Sequence, residues 1–89
     1  MLYSRSIATG PVAWIAPPPG TRFECLLQVR HRQRAVAATA RITAGGAVIE
    51  PAMPLRAVAA GQFAALYLGD ECLGGAVITA ADCAAQRYN

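Results

Sequence analysis

Turn-forming residues interrupt this chain about every ten positions, and that spacing is the strongest constraint on its fold. Gly10-Pro11 closes a first segment and Pro17-Pro18-Pro19-Gly20 makes a stiff connector. Gly45-Gly46, Pro51, Pro54, Gly61 and Gly69-Asp70 punctuate the rest. Proline fixes φ and removes an amide donor, and glycine tolerates sharp reversals, so short strands must fill the intervals. Short strands at this spacing are the pattern of an all-β barrel or sandwich.

The intervals carry the matching hydrophobic pattern. From Phe23 to Arg34, Cys25, Leu27 and Val29 point one way. Glu24, Gln28, Arg30, Arg32 and Arg34 point the other, with Leu26 the one apolar residue on the polar side. Phe63–Leu68 and Cys72–Ile78 flank Gly69-Asp70-Glu71 as two arms of a hairpin. Both arms are nearly all apolar, which predicts a central position covered on both faces. Ala35–Ala44 has the alanine content of a short helix, but Val36, Thr39, Ile42, Thr43 and the following Gly45-Gly46 turn favour a strand. The expected architecture is one all-β domain over residues 1–80, with residues 81–89 a tail that has little to bury.

Size limits what this domain can do. With 89 residues, roughly 60–65% of the unfolded surface can be buried. The apolar fraction is 55%, which argues against disorder, but much of it is alanine. The large side chains, among them Trp14, Ile15, Phe23, Leu66, Phe63 and Leu68, suffice for one thin core. The apolar run Val12–Ala16 is too short for a signal peptide and is followed at once by three prolines. No run reaches the roughly 20 apolar residues of a membrane span. A soluble, cytoplasmic chain is expected. Cys25, Cys72 and Cys83 form no C-x-x-C pair and His31 stands alone. Neither a disulfide framework nor a metal site is therefore expected, and the thiols read as reduced core or tail residues.

Catalytic patterns are missing. No phosphate loop, dinucleotide fingerprint or H-E-x-x-H occurs, and Ser4 and Ser6 lie in no nucleophile elbow. The carboxylates Glu24, Glu50, Asp70, Glu71 and Asp82 are scattered, and Asp70-Glu71 suits a solvated turn. A self-contained active site with a nucleophile, base and orienting group is not expected, nor is a cofactor in this chain.

The chemically pointed feature is arginine. The net charge of +3 comes entirely from arginine, since the chain has no lysine. Such a bias suits phosphate recognition, and it also arises from GC-rich coding alone. On one strand, Arg30, Arg32 and Arg34 would lie on one face at roughly 6.5–7 Å intervals. That approximates the spacing of successive phosphates on an extended strand. The competing reading is a solvated outer face whose charges discourage edge-to-edge pairing. Trp14 could stack on an unpaired base, but Val12, Ala13 and Ile15 around it favour a core anchor.

Several pieces, in order, resemble a known family. Val58-Ala59-Ala60-Gly61-Gln62-Phe63, continuing through Leu66-Tyr67-Leu68-Gly69-Asp70-Glu71-Cys72-Leu73-Gly74-Gly75 to Ile78, resembles the closing motif of tRNA-specific 2-thiouridylases. Gln28-Val29-Arg30-His31-Arg32-Gln33 resembles their K-[VI]-R-Y-R-Q strand. Val12-Ala13-Trp14-Ile15 is similar to their V-N-W-L turn, and Pro54-Leu55-Arg56-Ala57-Val58 to P-Q-R-A-V. Ala60, Ala76 and His31 depart from the usual proline, glycine and tyrosine. The resemblance implies a six- to seven-stranded antiparallel barrel similar to domain II of elongation factors. It further implies a non-catalytic part of an enzyme whose nucleotide-binding and sulfur-delivering sites lie upstream. It adds Arg56 to Arg30, Arg32 and Arg34 as candidate tRNA contacts. The implied partners are tRNA and the enzyme's other domains, with self-association of the isolated barrel as a further expectation. A purely structural role, packing on those domains without touching RNA, stays open beside it.

Overall fold

The computed structural model describes residues 3–29, 34–56 and 58–82, and every regular element in them is a β-strand. The strands are β1 (Tyr3–Ser4), β2 (Ser6–Thr9), β3 (Ala13–Trp14), β4 (Arg22–Gln28), β5 (Val36–Thr43), β6 (Gly46–Pro51), β7 (Leu55–Arg56), β8 (Phe63–Leu68) and β9 (Glu71–Asp82). Antiparallel neighbours run β2-β6-β5-β4-β8-β9, and β9 pairs back onto β2. This closes a six-stranded barrel. β3 is an extra strand laid on Gly74 and Gly75 of β9, and β1 pairs with β7 in a separate two-stranded ribbon.

The alternation expected of β4 is present: Phe23, Cys25 and Leu27 are buried while Arg22 and Glu24 are exposed. Ala35–Ala44 does form a strand. Its alanines explain themselves in the barrel, because Ala38 and Ala40 point inward beside Ala47 and Ala64. A narrow barrel leaves room for a large side chain only where its neighbour is small. Ile7, Leu27, Ile49, Leu66, Leu73 and Ile78 fill the remaining space at 2% exposure or less. Each such side chain contributes about 1.5–3 kcal/mol of apolar burial. Trp14 anchors on this core, its ring centroid 6.5 Å from that of Phe23.

Two tight reversals set the register. Thr43 pairs with Gly46, so Ala44 and Gly45 form the β5–β6 turn. Leu68 pairs with Glu71, so Gly69 and Asp70 form the β8–β9 turn, with Gly69 at φ 57° in the left-handed region. Gly46 therefore belongs to β6 rather than to the turn, and its lack of a side chain answers a different need. A Cβ there would collide with the carbonyl oxygens of Thr9 and Gly10 where β2 crosses β6.

Four expectations need correction. β8 and β9 are central in the strand order, but only their inner faces are covered. Phe63 is 54% exposed and Val77 51% exposed, because a single closed barrel has one interior and every second residue looks outward. Ile15 is not a core anchor but 77% exposed: its amide donates to the Leu73 carbonyl at 2.7 Å while Trp14 takes the inward position. The arginine-bearing strand ends at Gln28. Arg34 lies outside any strand, before β5, while Arg30, His31, Arg32 and Gln33 fall outside the described residues. Finally, β9 runs to Asp82, two residues into the stretch assigned to the tail, because Ala81 and Asp82 pair with Ile7 and Ser6. Residues 83–89 lie outside the described residues.

Candidate nucleic-acid interface

The ladder registers locate the described arginines relative to the two ends of the barrel. β4 leaves the sheet after Gln28 and β5 enters it with Leu27 opposite Val36, so Arg34 sits at that end. β6 leaves at the same end: Pro51 pairs with Ala38, and the Ala52 amide donates to the Ala37 carbonyl at 2.9 Å. The chain then runs to β7, where Arg56 pairs with Tyr3 of β1. Arg5 lies between β1 and the start of β2, whose Ser6 pairs with Asp82. Arg5, Arg34 and Arg56 are all exposed. Arg30 and Arg32 are outside the described residues, in the stretch between Val29 and Arg34.

Sequence reasoning missed a second pair. Arg22 and Arg41 are direct cross-strand partners on the outside of β4 and β5, both exposed. They sit about 17 Å along the ladder from the Leu27–Val36 pair, at a rise of about 3.3 Å per residue. Their end of the barrel also carries the exposed Asp70 and Glu71 of the β8–β9 turn. Glu24 and Glu50 both stand opposite Thr39, diagonal to Arg41. The signal for Arg22 was present in the β4 alternation, but Arg41 becomes its neighbour only through the hairpin register. The fold thus puts Arg22 and Arg41 at one end of the barrel and Arg5 and Arg34 at the other, where Asp82 pairs with Ser6 and Glu50 precedes Pro51.

Little else is chemically pointed. Cys25 is the buried thiol, and loss of water around it pushes its pKa from 9.0 to about 11, which makes it inert at neutral pH. Cys72 is half-buried, with its Sγ 3.9 Å from the Gly74 carbonyl oxygen, rather than enclosed in the core. Ser4 is 1% exposed. A hollow of about 230 Å³ between β4 and β5 is lined by Glu24, Cys25, Ala37, Ala38, Thr39 and Ala52, with Glu24 its only charged side chain. Among the described residues no helix is long and apolar enough to cross a membrane, and no three His, Cys, Asp or Glu side chains gather as a metal set.

The strand order and turns can be set beside known proteins. Residues 4–78 match the family model of the aminomethyltransferase β-barrel domain. The chain belongs to this barrel family. The tRNA-specific 2-thiouridylase of Stenotrophomonas maltophilia (strain K279a) is 45% identical over 83 residues, covering 91% of this chain and 22% of that protein. The enzyme of the same description from Xanthomonas axonopodis pv. citri (strain 306) is 40% identical over 89 residues, covering 98% of this chain and 24% of the relative. That from Marinobacter nauticus is 38% identical over 79 residues, with 88% and 20% coverage. The chain therefore corresponds to the C-terminal barrel domain of such enzymes and spans less than a quarter of their length. The matched range, 4–78, contains all four motifs that resemble 2-thiouridylases, which run from Val12 to Ile78.

Proposed function

We propose that this barrel is a non-catalytic domain of a tRNA wobble-uridine 2-thiolating enzyme and helps to seat the tRNA. The contact runs through Arg30, Arg32, Arg34 and Arg56. What supports this is the exposure of Arg5, Arg34 and Arg56, with Arg34 where β4 leaves and β5 enters the barrel, Arg5 just ahead of β2, and Arg56 on β7 opposite Tyr3 of β1. Guanidinium groups bond phosphate oxygens in a planar fork, so these arginines suit a sugar–phosphate backbone without reading its bases. The name shared by the relatives, tRNA-specific 2-thiouridylase, supplies the class of nucleic acid. Activation of the uridine and sulfur transfer belong, on this reading, to the three quarters of such an enzyme outside the matched barrel. No cofactor is assigned to this chain, and its place is the cytoplasm.

Binding of a labelled tRNA with a wobble uridine, titrated at several salt concentrations, tests this. The logarithm of the affinity should fall linearly with log salt, at a slope equivalent to about two to four phosphate contacts. The combined Arg30→Ala, Arg32→Ala, Arg34→Ala and Arg56→Ala variant should weaken binding alike for all tRNA sequences, whereas Arg22→Ala with Arg41→Ala should not. Equal binding by wild type and the fourfold variant would show that these arginines are ordinary surface.

A further inference from the structure

The outside of the barrel is divided into two faces of different chemistry. Outward positions on β4, β5 and β6 carry Arg22, Glu24, Arg41 and Glu50. Those on β8 are Phe63, Ala65 and Tyr67, and those they face on β9 are Val77, Gly75 and Cys72. On the other side of β9, Ala13 pairs with Gly75, and Ile15 turns outward beyond Trp14. No charged side chain interrupts these outward positions. Lone exposed apolar residues are ordinary on a protein surface; a continuous apolar patch across adjacent strands is not.

Phe63 and Val77 form its centre. They are direct cross-strand partners, both about half exposed. The Phe63 ring lies on Gly75: a Cβ at that position would stand 2.6 Å from its Cζ. The missing side chain at 75 thus leaves a seat for the aromatic ring on the outer wall. Half of the Phe63 side chain stays exposed beside half-exposed Val77, an apolar contact surface available to a partner.

We infer that the outer face of β3, β8 and β9, centred on Phe63 and Val77, docks against the rest of the 2-thiouridylase polypeptide, an inference that rests on the domain assignment above. The relatives supply the occupant, since about three quarters of each lies outside the matched barrel and is available to cover this apolar face. The charge pattern disfavours RNA, because a stacking platform works together with cations that track the backbone, and the described outward positions of this face carry none. Arg34 and Arg56 are left free for tRNA.

The test mixes this 89-residue chain with the Stenotrophomonas maltophilia enzyme lacking its matched 83 residues. Wild type should bind saturably. Phe63→Asp with Val77→Asp should weaken that binding at least tenfold, yet leave the melting temperature of the isolated barrel within a few degrees, because both side chains face outward. The fourfold arginine variant should dock like wild type, which separates failure of docking from failure of tRNA seating. Where the shortened enzyme does not stay folded, a full-length chimera carrying this barrel gives the same answer. It should unfold in one transition with the wild-type barrel and in two with the double variant. Unchanged docking, or one transition for both chimeras, overturns the inference. So does a double variant that loses only self-association in sedimentation, or only affinity for tRNA.

Discussion

The amide of Ala47 donates to Oγ1 of Thr9 at 3.2 Å, a buried bond between residues 38 apart in sequence. The same hydroxyl donates to the Gly10 carbonyl at 2.9 Å. One side chain thereby serves two backbone groups where β2 meets β6, close to the place where Gly46 lets the strands come within touching distance.

Thr9→Val keeps the shape of the side chain and removes the acceptor, leaving the Ala47 amide buried without it. The expected loss is about 1–3 kcal/mol, and Thr9→Ser should lose less because the hydroxyl survives. Urea denaturation of the three proteins measures the difference.

Gly45 and Gly46 are adjacent and should respond in opposite ways to alanine. A Cβ on Gly45 meets nothing within 4 Å, whereas one on Gly46 strikes the backbone of Thr9 and Gly10. Gly45→Ala should alter stability by well under about 1 kcal/mol, while Gly46→Ala should cost on the order of 2 kcal/mol or more by forcing the strands apart. Thermal melts decide.

Burial of Cys25 makes stability fall in alkali. Its thiol has a pKa of about 11 folded against an ordinary 9.0, so above pH 9 the unfolded chain sheds a proton that the folded chain keeps. The thiol's contribution is fully present below pH 9 and is lost as pH rises towards 11. At pH 10 the loss is on the order of 1 kcal/mol, and a Cys25→Ala protein should lack that slope. Denaturant midpoints from pH 7 to 10 test it. At pH 8 an aqueous thiol reagent should modify half-buried Cys72 well before Cys25.

Leu66 is 1% exposed and Leu68 is 37% exposed, two residues apart on the same strand. Leu66→Ala should lose about 2–5 kcal/mol, enough to unfold much of so small a domain, and Leu68→Ala should lose under about 1 kcal/mol. Far-UV circular dichroism at 37 °C distinguishes the two at once.

The strands and turns were largely legible because they rest on local chemistry. The Phe23–Leu27 alternation, the Gly69-Asp70 reversal and the threonines of β5 each act within a few residues. What escaped was the use of outward faces. Phe63 and Val77 are as apolar as Leu66 and Ile78, and composition alone cannot say that a wall has nothing behind it. Ile15 follows the same logic, since its direction depends on β3 pairing with Gly74, a residue sixty positions away. The candidate interface was legible only as a list of arginines. The hydrophobic pattern carried β4 too far, to Arg34, because nothing local marks Gln28 as its last residue. The pairing of Arg56 with Tyr3, and of Arg41 with Arg22, is a product of ladder register.

β9 closes the barrel against β2, and the Thr79 hydroxyl donates to the Ala8 carbonyl at 3.2 Å across 71 residues. On the ribosome, then, the first barrel strand waits for the last barrel strand to be made. Until residues 71–82 emerge, the nascent chain is an open sheet with β2 and β8 as bare edges. Its completion is a single late, long-range event, slow by the standards of small domains and exposed to wrong pairing until it happens.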